Sequence, residues 1–331
     1  MYTLIVGADI ASKTIQFHWQ QIETGETGDR EIKQQPSGYR SIIDRLQKLS
    51  DAGQIHVVME ATGNYWLRFA LAAHDAGFAV SVLNPRQSFY FAKYRLRQTK
   101  TDKVDARLLC QMAQVDSLEL WTPPPAVYHE LQQRVALRQN LQDSCTQYKN
   151  RLHALRQNPH ALPEIITRVE ALIADFTAQV KQLEKELEDL LDADHEWHDA
   201  AQHLRSITSI STISATWILV ATHCFARCET AEQAASFAGL VPHEHSSGQH
   251  KGNRQTGGGH DRLRSIMYMV AGNAIQKNKA VKPLYDRLIR KGKVKNIARV
   301  AVARKLVHIA WACVIKERDF DPYYGQLPDV A

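Results

Sequence analysis

The chain has 331 residues, 44% of them hydrophobic and 23% charged, with a formal net charge of +6. That length carries two domains and a sizeable core, and it excludes a small scaffold that folds only when stapled by disulfides. The five cysteines are odd in number and without framework spacing, residues 1–10 lack the basic start of a signal peptide, and no apolar run reaches a membrane span, so a soluble cytoplasmic protein without membrane contact is expected.

Residues 2–10 read as a buried strand closing on Asp9, and 14–19 as an alternating strand behind a short turn at Ala11-Ser12-Lys13. A third short strand is expected near 30–34. Tyr39, Ile42, Ile43, Leu46 and Leu49 give helical spacing over 37–49. Residues 55–60 form a second buried strand, ended by Glu60 and followed by Ala61-Thr62-Gly63 and a helix over 64–76. Another strand over 79–84 is stopped by Pro85, and a helix over 86–95 follows. The order β-β-β-α-β-α-β-α describes a mixed sheet with helices packed on it.

Next comes Gln98-Thr99-Lys100-Thr101-Asp102-Lys103-Val104-Asp105-Ala106-Arg107. With Thr101 as N-cap, Asp102 and Asp105 share one face of a helix's first turn, because positions three apart are neighbours there. Acids in a first turn also favour the helix dipole, so the pair alone is weak. Together with strand-terminal Asp9 and Glu60, which follow wholly apolar runs, it makes a four-carboxylate set. Such a set repels itself unless a cation sits within it. Carboxylate oxygens with water and phosphate suit Mg²⁺, so all four are candidate metal ligands and catalytic residues for phosphoryl transfer. A rival reading takes Gly7-Ala8-Asp9-Ile10-Ala11-Ser12-Lys13-Thr14 as the first phosphate loop of a sugar-kinase or actin type of ATPase, but no Gly-rich adenosine motif follows in the first half.

Trp121-Thr122-Pro123-Pro124-Pro125 marks a stiff boundary. A helical pattern over 127–156 mixes apolar residues with Arg134, Arg138, Lys149 and Arg151 until Asn158-Pro159-His160 breaks it. The next is regular: Ile166, Val169, Ile173, Phe176, Val180, Leu183, Leu187 and Leu190 form an a/d seam. That seam implies either a helical hairpin with the preceding helix or self-association between protomers through a coiled coil. Its outer face is acidic, whereas the preceding helix is basic enough to touch nucleic acid.

From Leu204 a helical run over 212–222 and another over 231–239 lead to Leu240-Val241-Pro242 and then to a polar, glycine-rich loop over 243–260. A loop of that length is either a DNA-contacting element or disordered, and it sets hydroxyls beside histidines and bases, where a serine nucleophile can be activated. Helices are expected over 261–273 and 295–312. Between Lys251 and Lys316 the only acids are Asp261 and Asp286, a charge distribution that expects a polyanion. Arg134 and Arg138, with Lys251, Arg254, Arg262, Arg264, Lys293 and Lys295, are the candidate nucleic-acid contacts. The divisions fall at 1–120, 121–200 and 201–331.

Asp9, Glu60-Ala61-Thr62-Gly63, Leu83-Asn84-Pro85, Lys100-Thr101-Asp102-x-x-Asp105-Ala106, Phe237-Ala238-Gly239-Leu240-x-Pro242, Ser247-Gly248 and Leu263-Arg264, in this order, resemble the DEDD transposases. These are the insertion-sequence one-ten type, with the eleven-eleven subgroup and the Piv-type invertases. The resemblance implies an α/β RNase H-like (RuvC-like) N-terminal domain, a helical coiled-coil connector and a mainly α C-terminal transposase domain. It implies that the four acids bind Mg²⁺ and that Ser247, beside Ser246, attacks the DNA backbone to give a covalent phosphoserine link. It further implies double-stranded DNA as substrate, a structured guide RNA encoded by the element, and a homo-oligomer, dimer or tetramer, in which one protomer's serine completes another's acidic site. Two departures stand out: Ile207-Thr208-Ser209-Ile210-Ser211 replaces Ile-Pro-Gly-Ile-Gly, and Thr256-Gly257-Gly258-Gly259 replaces a Ser-Lys-x-Gly step, so that the lysine's part is either missing or taken by Lys251 or Arg254. Two other readings compete with this one: a RuvC-type nuclease that uses water, and a nucleic-acid-binding protein without chemistry.

Overall fold

A computed structural model describes residues 2–96, 101–226, 228–243, 246–247, 250–251 and 255–323, with the backbone alone described at 243, 246–247, 250–251 and 255. The chain divides into two compact units, Met1–Pro123 and Pro124–Ala331.

The first unit is built on a five-stranded mixed sheet in the order β3-β2-β1-β4-β5. Strands β1 (Leu4–Ile10), β2 (Thr14–Gln21) and β3 (Thr27–Lys33) form an antiparallel meander, and β1 then pairs in parallel with β4 (Ile55–Glu60), which pairs in parallel with β5 (Ala79–Leu83). Parallel neighbours need crossovers, and α1 (Pro36–Gln47) and α2 (Leu67–Asp75) supply them. Strand alternation then sorts the faces. Leu4, Val6, Ala8 and Ile10 of β1, with Ile55, Val57 and Met59 of β4, join the core under α1 and α2, against Ile42, Leu46 and Phe69. The opposite face is covered by α3 (Pro85–Tyr94) and α4 (Asp102–Val115), where Val58 and Leu83 meet Phe91, Leu108, Leu109 and Met112. Buried His56 lies between Tyr2 and Ser81, its Nε2 2.8 Å from Ser81 Oγ, and burial pushes its pKa down to about 4.

Helix α2 begins at Leu67, three residues later than expected, because Gly63 takes a left-handed turn (φ +56°) directly after β4.

The second unit opens with an antiparallel hairpin of two 31-residue helices, α5 (Ala126–Arg156) and α6 (Pro163–Ala193). Arg134 with Glu186, Arg138 with Glu184 and Arg156 with Glu170 bridge it, at 3.1, 2.5 and 2.7 Å, and Tyr148 packs on Phe176. Of the α6 seam, Val169, Val180, Leu183 and Leu187 are buried, and Ile166, Ile173, Phe176 and Leu190 are half-buried. The hairpin's open end shares one core with the rest of the unit: Tyr128, Leu131, Val135, Leu187 and Leu191 pack with α7 (His195–Ser206), α8 (Thr212–Thr222), α9 (Ala231–Phe237), α10 (Asp261–Lys277) and α12 (Lys295–Ile315). Helix α7 went unread in the sequence because its buried stripe, Trp197, Ala200, Ala201 and Leu204, is set in polar residues. Helix α11 (Lys282–Arg290) buries no side chain and gave no core signal.

The segment after α9 also carries short strands among its described residues. Its backbone forms two short antiparallel ladders, β6 (Pro242–His243) with β9 (Gln255–Thr256) and, inside it, β7 (Ser246–Ser247) with β8 (His250–Lys251). Two-residue strands of polar composition leave no alternation to read. Among the described residues no helix is long and apolar enough to cross a membrane.

Candidate functional site

The four predicted acids come together on the α3/α4 face of the first unit. Ala8 pairs with Met59, so the next residues, Asp9 and Glu60, leave the sheet side by side on two parallel strands. The same alternation that turns Ala8 and Met59 into one core turns Asp9 and Glu60 to the other face. Helix α4 reaches that face because β1 carries Gly7, two residues before Asp9. A Cβ at Gly7 would lie 1.9 Å from the Ala106 carbonyl oxygen and 2.7 Å from the Cys110 amide nitrogen, so the helix backbone rests directly on the strand. The Cys110 thiol, pushed up to about 11 by burial, contacts the Ile5 carbonyl at 3.4 Å in the same seam. One turn before Ala106, Asp102 and Asp105 occupy the first turn of α4, where Thr101 caps the helix with its Oγ1 3.4 Å from the Val104 amide.

Asp9, Glu60, Asp102 and Asp105 line one cavity of about 660 Å³, together with Thr62, Ser88, Phe89 and Lys93. Glu60 is fixed by two hydroxyls: Thr62 Oγ1 donates to one carboxylate oxygen at 2.9 Å and Ser88 Oγ to the other at 2.5 Å. Ser88 faces Glu60 because Asn84 and Gln87 form a capping box that sets the first turn of α3, with Pro85 at its start. The sequence motifs contain Asn84-Pro85 and Thr62 but gave Thr62 no role and left Ser88 unnoticed, and for Ser88 the capping box was the available signal. Among the described residues no group of three or more acids, histidines or cysteines converges on one point. The four carboxylates line one cavity, and hard oxygen donors so arranged would suit a hydrated divalent cation better than a closed protein cage.

In the second unit, Ser246 and Ser247 lie on β7, where Ser247 is opposite His250 and Ser246 opposite Lys251. Their side chains, and that of Lys251, lie outside the described residues, as does the whole of Arg254. The base of this β-hairpin is locked by two backbone segments that cross at glycines. Gly239 and Gly259 both have left-handed φ, and a Cβ on Gly259 would lie 2.4 Å from the Phe237 carbonyl oxygen and 2.5 Å from the Gly239 nitrogen. His260 closes the crossing with its amide on the Phe237 carbonyl at 2.7 Å and caps α10, accepting from the Leu263 amide at Nδ1. Burial lowers the His260 pKa, which keeps the ring neutral at neutral pH.

The predicted basic contacts divide into two kinds. Arg134 lies between Glu130 and Glu186, and Arg138 is held by Glu184, so carboxylates offset both charges. Arg264 donates to the Gly258 carbonyl at 2.5 Å and pairs with Asp261, which makes it a clamp on the hairpin base. Arg262 stacks over Trp217 and is 3.6 Å from Asp143. Lys293, between α11 and α12, and Lys295, the first residue of α12, are exposed.

The family described as transposase, DEDD type of IS110, matches residues 6–160. A second family description, transposase of the IS116/IS110/IS902 family, matches residues 201–286. The chain is 30% identical over 271 residues to the pilin gene-inverting protein of Moraxella bovis, covering 81% of this chain and 82% of that protein. It is 25% identical over 351 residues to a probable family 20 transposase of Pseudomonas aeruginosa, covering 96% of this chain and 98% of that protein. Among solved structures it is similar to T. thermophilus RuvC in complex with a Holliday junction substrate, with a TM-score of 0.27, 11% identity, and 36% of this chain and all of that one covered. That structural likeness is too slight to argue from. The two matched segments contain the motifs on which the resemblance was drawn, from Asp9 to Asp105 and from Phe237 to Arg264, and the chain belongs to the IS110 family of DEDD transposases.

Proposed function

We propose that this protein cuts and rejoins double-stranded DNA as the transposase, or site-specific recombinase, of an insertion sequence. The observation that carries the reading is the convergence of Asp9, Glu60, Asp102 and Asp105, from two strand ends and one helix start, on one cavity. The sheet order, with an antiparallel meander joined to two parallel strands, supports the RNase H-like description of this unit. Bound there, Mg²⁺ would offset charge on a scissile phosphate. Glu60, held by Thr62 and Ser88, would keep its position as a ligand, and Asp9, Asp102 and Asp105 would supply the remaining carboxylate oxygens.

Ser247 is the proposed nucleophile. Its Oγ would displace a DNA oxygen from phosphorus, and the resulting serine phosphodiester conserves the broken bond for rejoining, as one DNA hydroxyl later displaces the serine. The alignment of the Ser-Gly step supports Ser247 over Ser246. The resemblance also supports a structured RNA partner encoded by the element. The resemblance likewise supports a homo-oligomer, a dimer or tetramer, formed through the hairpin.

The test is a cleavage and strand-exchange assay on supercoiled donor and target plasmids with Mg²⁺, with and without RNA copurified from expression of the whole element. A protein–DNA adduct that requires RNA and disappears in Ser247→Ala is the expected result. Cut DNA that never carries an adduct, with Ser247→Ala fully active, would replace the serine mechanism by attack of water. A chain that binds DNA but never cuts it, with Asp9→Asn and Asp102→Asn indistinguishable from the original, would remove the enzyme reading altogether.

A further inference from the structure

Helix α3 has an outward face unlike that of an ordinary surface helix. Arg86, Phe89, Tyr90, Lys93 and Tyr94 recur at steps of three and four, which places them on one stripe, and all five are exposed. Phe89 is 54%, Tyr90 65% and Tyr94 78% exposed. The stripe opposite, Ser88 and Phe91, is the one that packs onto the sheet, so the aromatic rings are not a misread core face. Cations alternate with the rings: Lys93 Nζ is 4.6 Å from the Phe89 centroid, and the Arg95 guanidinium is 6.0 Å from that of Tyr94. Phe89 and Tyr90 stand edge to face, their centroids 5.5 Å apart. No acid occurs in α3. The stripe also adjoins the carboxylate cavity, because Phe89 and Lys93 line it.

We propose that this stripe of α3 is a stacking platform for unpaired bases of the DNA strand whose backbone enters the carboxylate cavity; its occupant rests on the recombinase reading above. Aromatic rings interleaved with cations are the chemistry that holds single-stranded nucleic acid, since every base offers a π-face and every linkage a negative charge. Inside a continuous duplex the base faces are covered by their neighbours, so rings on a convex helix gain this contact only where pairing is opened. The step from Arg86 to Tyr94 spans about 12 Å, room for roughly three bases at ~3.4 Å each. A second copy of the chain is the poorer occupant. A two-fold contact would set Arg86, Lys93 and Arg95 of one stripe against the same cations of the other, with no acid on α3 to offset them.

The function that follows is selection of distorted DNA. The surface would favour sites whose bases open readily, and it would hold the opened strand while the phosphate beside it is exposed to the acids.

The test uses the full chain in buffer without divalent metal, so that no strand is cut. The probes are a duplex of about thirty base pairs and the same duplex with three unpaired positions carrying a fluorescent adenine analogue that stacking quenches. The opened duplex is expected to bind roughly tenfold tighter, with quenching. Tyr90→Ala combined with Tyr94→Ala should remove both effects and leave affinity for the paired duplex within about twofold. Tyr90→Phe with Tyr94→Phe, which keeps the rings, should retain them. Equal affinity of the original chain for both probes would overturn the proposal, as would an alanine pair that keeps the preference or weakens both probes alike. Loss of self-association in sedimentation, with the preference for opened DNA intact, would assign the stripe to a second protomer. Loss confined to a single-stranded RNA probe would assign it to RNA and also overturn the proposal. Because binding is the readout, a chain that keeps the preference yet never cuts DNA would sink the recombinase reading and leave the platform standing.

Discussion

Glu60 is held in orientation by two partners, and both are hydroxyls. Each carboxylate oxygen accepts from one of them and keeps a further lone pair for a cation. A hydroxyl donor suits this task because it adds no charge that would compete with the metal. Ser88→Ala should therefore leave the fold intact, because only one oxygen atom is removed from the buried face of α3. Glu60 would then turn among its rotamers, and the Mg²⁺ concentration needed for half-maximal cleavage should rise by roughly 10–100-fold. Titrating Mg²⁺ in the plasmid assay checks it. A fall in maximal rate at saturating Mg²⁺, with the half-maximal concentration unchanged, would instead assign Ser88 to the DNA. Thr62 gives the internal comparison. It sits in the turn after β4, outside α3, so Thr62→Val should act on Glu60 alone, whereas changes to Ser88 also touch the helix start, where its Oγ lies 3.0 Å from the Pro85 carbonyl.

The elements bring the acids together through one close approach, that of α4 to β1 at Gly7. The atoms a Cβ would strike there are backbone atoms of Ala106 and Cys110, which cannot rotate away. Gly7→Ala should thus cost about 3 kcal/mol, the upper part of the range for overpacking, and displace Asp102 and Asp105 from Asp9. Gly53→Ala is the control, with no atom within 4 Å of the new methyl and an expected change inside about 0.5 kcal/mol. Chemical denaturation of both variants measures the difference, and Gly7→Ala as stable as Gly53→Ala would mean the helix is not seated by that contact. This contact also marks where sequence reading ended. The strand ends at Asp9 and Glu60, the Thr101 cap and the pairing of Asp102 with Asp105 are local patterns, whereas the shared face of Asp9 and Glu60 depends on the β1–β4 register. That Gly7 is a seat for a helix a hundred residues onward depends on a non-local packing that no window contains. The same holds for Arg134 and Arg138, whose carboxylate partners lie on the return helix, and for Gly239 and Gly259, whose crossing exists only once the β-hairpin has closed.

At the scale of the whole chain, a formal charge of +6 understates how unevenly the bases are spread along the sequence. The charges differ in what they leave available to a polyanion. Arg134, Arg138 and Arg264 are within reach of carboxylates that already offset them, whereas Lys293 and Lys295 are exposed in a stretch whose neighbours, from Arg287 to Arg299, include no acid. Binding that neutralises phosphates releases counterions, and the dependence of affinity on salt counts the phosphates neutralised, at roughly 0.9 per contact on a log–log plot. Lys293→Ala and Lys295→Ala should each lower that slope by about one and weaken binding alike on unrelated duplexes. Arg138→Ala should leave the slope unchanged and act on the hairpin instead, since its partner Glu184 would be left without its counter-charge. Affinities for two unrelated duplexes measured between about 50 and 200 mM salt separate these cases, a range over which six or more contacts change affinity by roughly a thousandfold. If Arg138→Ala lowered the slope as much as Lys293→Ala, the ion pairs of the hairpin would have to open on DNA, and α5 would join the nucleic-acid surface that its basic sequence first suggested.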